Sequence, residues 1–119
     1  MKRIYSLSDF GVNRHDFTLD NGLKVIFIEK PFAPIYAKLM VRAGSIYNGS
    51  DNGLAHLSEH LLVGASNEYP AKEHMARILV PVGGHSNAYT SLQDMSIECK
   101  VAMAEHICDM VEHFRASIE

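Results

Sequence analysis

A chain of 119 residues is long enough for one domain around a single hydrophobic core and short for two. With 47% hydrophobic and 21% charged residues and no low-complexity run, its composition is globular and argues against intrinsic disorder. The formal charge of -3, with Lys and Arg scattered along the chain, argues against nucleic acid or an anionic membrane surface as a partner.

The N-terminal "MKRIYSLSDFG" has a basic start but no apolar stretch behind it, and no window holds 18 consecutive apolar residues. Neither a signal peptide nor a membrane-spanning helix is expected, which favours the cytoplasm. Residues 23–28, "LKVIFI", read as a strand after the turn signal Asp20-Asn21-Gly22, and Pro31 and Pro34 mark the loop that follows. In the next segment Ala37, Leu39 and Val41 alternate with Lys38, Met40 and Arg42, the period of a strand with one buried face. Ser50, Asp51 and Asn52 are candidate caps for a helix that ends near Gly64.

Tyr69-Pro70 opens a second helix, about 71–80, with Met75, Ile78 and Leu79 on one side, and "VPVGG" stops it. "SNAYTS" and "MSIECKV" predict a hairpin, the latter with Ile97, Cys99 and Val101 on one face and Ser96, Glu98 and Lys100 on the other. From Ala102 to about Ser117, Ile107, Met110, Val111 and Phe114 recur at helical spacing. The predicted order is ββαα, then ββα: an α+β fold with an antiparallel or mixed sheet and helices packed on one face. Cys99 and Cys108 lack CxxC spacing and read as small buried hydrophobes rather than a redox pair.

Chemistry concentrates in "GLAHLSEHLL", residues 53–62. A helix turns about 100° per residue, so His56 and His60 lie about 40° apart on one face, and Glu59 sits about 80° to the side of their midpoint. This is the mirror of the HExxH arrangement. Neutral imidazoles suit Zn²⁺, which acidifies a water, and a nearby carboxylate can then take its proton. The bland alternative is a helix whose wet side happens to carry His, Glu and His. Leu54, Leu57 and Leu61 occupy the opposite stripe and predict a largely buried helix. A catalytic zinc takes three protein ligands as a rule, and none of His15, His74, His85, His106 and His113 stands out as the third. His106 and His113, with Glu105 and Glu112 beside them, predict a solvated face of the last helix.

Taken together, "RAGSIYN", "GLAHLSEHLL", Tyr69-Pro70 and "GGHSNAYTS" resemble the start of the catalytic domain of the pitrilysin/insulinase family of zinc peptidases, the HxxEH or inverzincin class. The resemblance runs from about Asn21, with "NGLKVIFIEK" like the family's first strand. It implies a zinc metalloendopeptidase in which His56 and His60 hold Zn²⁺ and Glu59 is the catalytic base. It also implies that Asn87, Ala88 and Tyr89 lie on an edge strand where a peptide substrate adds as a further strand.

Three departures accompany the match. Ala65-Ser66 stands where the family has Gly-Thr, and Met95 and Ile97 stand where a threonine and a tyrosine are usual; these are packing positions. The family's third ligand is a glutamate roughly 75 residues beyond the second histidine. This chain ends at Glu119, short of that distance, and by spacing neither Glu112 nor Glu119 is that ligand. The expectation is therefore a single, truncated N-terminal metallopeptidase domain over residues 1–119. Such a chain either belongs to a peptidase that self-associates or pairs with a second pitrilysin-type domain, or is a non-catalytic fragment or inactive partner subunit.

Overall fold

A computed structural model describes residues 3–7 and 11–118. They fall into two compact units, the first ending at Ala33 and the second beginning at Pro34.

The first unit is an antiparallel meander of β1 (Arg3–Leu7), β2 (Val12–Thr18) and β3 (Lys24–Glu29), in that order across the sheet. The predicted turn joins β2 to β3: Gly22 takes φ 88°, which a residue with a Cβ resists, and Asn21 Oδ1 accepts the Leu23 amide at 3.1 Å. The predicted strand at 23–28 is β3, one residue further on. Neither β1 nor β2 was expected. β2 carries Arg14, His15 and Asp16 in succession, which breaks the apolar alternation by which a strand is recognised. Arg14 and Asp16, two apart and so on one face, close a bidentate pair at 2.7 and 2.9 Å, and the strand is held by pairing on both sides.

The second unit carries β4 (Ile35–Val41), α1 (Leu54–Gly64), α2 (Lys72–Leu79), β5 (His85–Thr90), β6 (Met95–Val101) and α3 (Ile107–Ile118). Its sheet is antiparallel in the order β4-β6-β5, so β6 is central and β5 is an edge. The register places Ala37, Cys99 and Ser86 in one row, and Leu39, Ile97 and Ala88 in the next. This is the inner face, and α1 and α3 pack on it. Tyr36, Lys38, Lys100, Asn87 and Tyr89 belong to the other face, as the alternation predicts, although Ser96 on that face is buried between its neighbours. The α+β class and the helices on one side agree with the sequence.

The core consists of Leu79, Cys99, Val101 and Met110, with Ile35, Ala37, Ile78, Val82 and Phe114 packed around it. Met75 and Leu79 are the buried stripe of α2, as predicted. Helix α3 is rotated from its expected face. Met110 is buried, but Ile107 and Val111 face solvent, and His113 is 2% exposed where a solvated histidine was expected. Its place in the buried stripe is tolerable because burial favours the neutral ring and a small polar side chain lies beside it, with Ser117 Oγ 3.5 Å from Nδ1. Cys108 is exposed, against expectation, and both cysteines are free. Among the described residues no helix is long and apolar enough to cross a membrane.

Candidate functional site

The site is built on α1, and the segment before it sets where α1 starts. After β4 the chain passes Gly44, whose missing side chain lets the backbone lie against the β5–β6 turn. A Cβ there would stand 2.5 Å from the Asp94 nitrogen and the Gln93 carbonyl carbon. The contact is fixed by Ser45 N–H to Ser91 O and Ile46 N–H to Leu92 O, both 2.9 Å. One 3-10 turn later Asn48 Oδ1 accepts the Ala55 amide at 3.0 Å and caps α1. The cap thus comes from Asn48 and not from Ser50, Asp51 or Asn52, because Gly53, at φ 86°, reverses the chain between them and the first helical turn.

The buried side of α1 is the stripe through Ala55 and Glu59; Glu59 is 7% exposed. The expectation of a largely buried helix is corrected: Leu54, Leu57 and Leu61 face solvent, the last two at 56% and 65%. The Glu59 carboxylate is satisfied from the sheet, where Thr90 Oγ1 donates to its Oε2 at 2.6 Å. His56 and His60 are exposed beside it, one turn apart as the spacing requires, and their Nε2 atoms face each other at 2.9 Å.

Asn87, Ala88 and Tyr89 lie on β5, whose outer edge is unpaired among the described residues. Asn87 Nδ2 donates to the Tyr89 hydroxyl at 2.8 Å, and its Oδ1 accepts the Ala88 amide at 3.0 Å. That amide is held by a side chain rather than by a neighbouring strand, which leaves the edge ready to exchange one weak partner for a main-chain carbonyl. The inner row of β5, Ser86, Ala88 and Thr90, faces the helices.

A metal placed here would have two donors. Two imidazole nitrogens sharing a tetrahedral Zn²⁺ stand about 3.3 Å apart, so His56 and His60 need part by only a few tenths of an ångström. The donor type and spacing fit. The donor number is short of three: among the described residues no group of three or more His, Cys, Asp or Glu side chains converges.

Sequence reasoning missed Asn48, Thr90 and a cluster behind α1. In that cluster Tyr69 donates to Glu112 Oε1 at 2.9 Å, and Arg115 Nε donates to Glu112 Oε2 at 2.8 Å and pairs also with Glu68. These contacts tie the loop after α1 to α3. Arg115 first and Tyr69 second hold the Glu112 carboxyl down at about 2. The alternation of β5 could have found Thr90, since it shares a face with Ala88. The other two depend on contacts made far along the chain.

The fold has a counterpart among solved structures. Superposed on the crystal structure of pitrilysin, the chain gives a TM-score of 0.81 at 24% identity, covering 98% of this chain and 13% of that one. In sequence it is 38% identical over 78 residues to Insulin-degrading enzyme-like 2 of Arabidopsis thaliana, covering 64% of this chain and 8% of that protein. It is 36% identical over 75 residues to Protease 3 of Escherichia coli (strain K12), covering 61% and 8%. The chain therefore spans under a tenth of these curated relatives. The model of the family described as Insulinase (Peptidase family M16) matches residues 24–118. The chain belongs to this family of peptidases.

Proposed function

We propose that the chain is the N-terminal, base-bearing part of a zinc metalloendopeptidase domain, in which His56 and His60 are two of the metal ligands and Glu59 is the general base. The observation that carries this reading is the joint placement of a buried, sheet-anchored Glu59 and two converging imidazole nitrogens on one helix beneath an edge strand. Zinc, when bound, supplies a Lewis acid that makes water acidic near neutral pH. Glu59 then takes the proton, having a carboxylate oxygen held at a fixed place by Thr90. Asn87, Ala88 and Tyr89 hold an extended peptide at the free edge of β5 through main-chain hydrogen bonds, which tolerates varied substrate side chains.

On this reading the third ligand is supplied from outside the described residues, whether by further sequence, by self-association or by a second pitrilysin-type domain. The apolar surface left open along α1 and α3 supports this, as does an open groove of about 630 Å³ lined by Leu61, Leu62, Pro70, Ala116 and Ile118. Two free cysteines fit a reducing cytoplasm. The shortfall of metal donors favours a second reading, a non-catalytic fragment or inactive partner subunit that binds peptide without cleaving it.

Elemental mass spectrometry of the chain after incubation with zinc, beside His60→Ala, tests the site. One zinc per site that is absent from the variant supports the first reading. Cleavage of a quenched peptide that stops with chelator and with Glu59→Gln establishes the peptidase. Peptide binding with no turnover in the completed assembly establishes the second reading instead.

A further inference from the structure

We infer that Thr90 is a positioning residue for Glu59, coupling the strand that receives substrate to the base that activates water; the inference rests on the peptidase reading above. Thr90 is the last residue of β5 and lies on its inner row, two residues beyond Ala88. Its hydroxyl donates to Glu59 Oε2 at 2.6 Å, a short O–H···O hydrogen bond. Among the described residues no buried polar side-chain atom lacks a partner, and Thr90 is the partner that Oε2 has. Oε1 accepts no hydrogen bond among the described residues and keeps its lone pairs for a proton.

A glutamate has three rotatable bonds, and without a partner its carboxylate would be free to take other rotamers relative to the histidines. The hydroxyl selects the rotamer in which the carboxylate lies between helix and sheet. Because Thr90 and Ala88 share one short strand, a peptide pairing along β5 presses on the same element that holds the base. Substrate register and base position are thus set together.

The test separates hydroxyl from shape. Thr90→Val keeps the bulk and removes the donor, and Thr90→Ser keeps the donor and removes the methyl. In the zinc-free 119-residue chain at a fixed neutral pH, the Glu59 carboxyl ¹³C shift and side-chain couplings should move in Thr90→Val and return to wild-type values in Thr90→Ser. In the assembled zinc peptidase, Thr90→Val should lower kcat about tenfold with KM unchanged, and Thr90→Ser should stay within about twofold. Unmoved Glu59 signals in Thr90→Val, or equal damage from Val and Ser, overturn the inference and leave the role of Glu59 standing, provided Glu59→Gln is inactive. Full activity in Glu59→Gln removes the base itself and overturns both.

Discussion

Nε2 of His56 and Nε2 of His60 face each other at 2.9 Å across one turn of α1, and both rings are open to solvent. Exposed side chains contribute little to folding, so His56→Ala and His60→Ala should each change stability by no more than about 0.5 kcal/mol. Each should nevertheless abolish zinc uptake. Urea denaturation beside metal analysis of the same samples checks both statements, and a variant that loses its fold along with its metal contradicts the first.

The cap on α1 is a side chain seven residues upstream of the amide it satisfies. Asn48→Ala leaves that N–H unpaired at the helix start and should cost about 1 kcal/mol, whereas Asn48→Asp, which keeps an acceptor oxygen, should cost less. Denaturant midpoints with unchanged slopes give the comparison.

Gly44 has no room for a methyl group. With its Cβ 2.5 Å from backbone atoms of Gln93 and Asp94, Gly44→Ala must separate the β4–α1 connection from the β5–β6 turn. We expect a loss of about 1–3 kcal/mol and a displaced α1, read as shifted amide resonances at both Ala55 and Ser91. An unshifted spectrum would count against the close approach.

Acid should lower the stability of the second unit over two pH ranges. Burial holds the His113 imidazole below its usual 6.5, so the unfolded chain takes up that proton more readily. The stability this represents is complete above pH 6.5 and is lost as pH falls from there through the lower folded value. Glu112 is held at about 2 against the usual 4.5, chiefly by Arg115, so its contribution is complete above pH 4.5 and disappears between there and about pH 2. Glu112 is a third exposed, so solvent screening keeps this second stage small. Melting temperatures from pH 8 to pH 2.5 should show both, and Glu112→Gln should weaken the dependence below pH 4.5, where Glu98, held low by Tyr36 and Lys38, still contributes, while leaving the upper stage intact.

Leu57, Leu61 and Ile118 expose apolar surface beside the groove between α1 and α3. Surface of that kind associates in water, so the chain should form dimers or larger species as concentration rises, and Leu61→Glu should weaken them. Light scattering that reports a monomer at high concentration would be inconsistent with this.

Much of this protein is local and therefore readable. Gly22 with Asn21 makes a turn wherever strands flank it. Met75 and Leu79 bury because helical spacing puts them on one side. The alternation of β6 announces its inner face through Ile97, Cys99 and Val101. The mutual facing of His56 and His60 follows from 3.6 residues per turn alone, and their neighbourhood to Glu59 needs no tertiary contact. Helix α3 was misread because its apolar residues allow two adjacent stripes, and packing against the sheet selected the one through Met110 and His113.

By itself the sequence determined which chemical groups stand together on α1, since neighbours on a helix are set by backbone geometry. Tertiary structure alone decided which side of that helix is buried. The leucines that hydropathy would turn inward face out, and Glu59 turns in because the Thr90 hydroxyl on a strand 31 residues away offsets the loss of water at its carboxylate. Periodicity ranks residues by their affinity for water, and it contains no term for a partner that arrives from elsewhere in the chain.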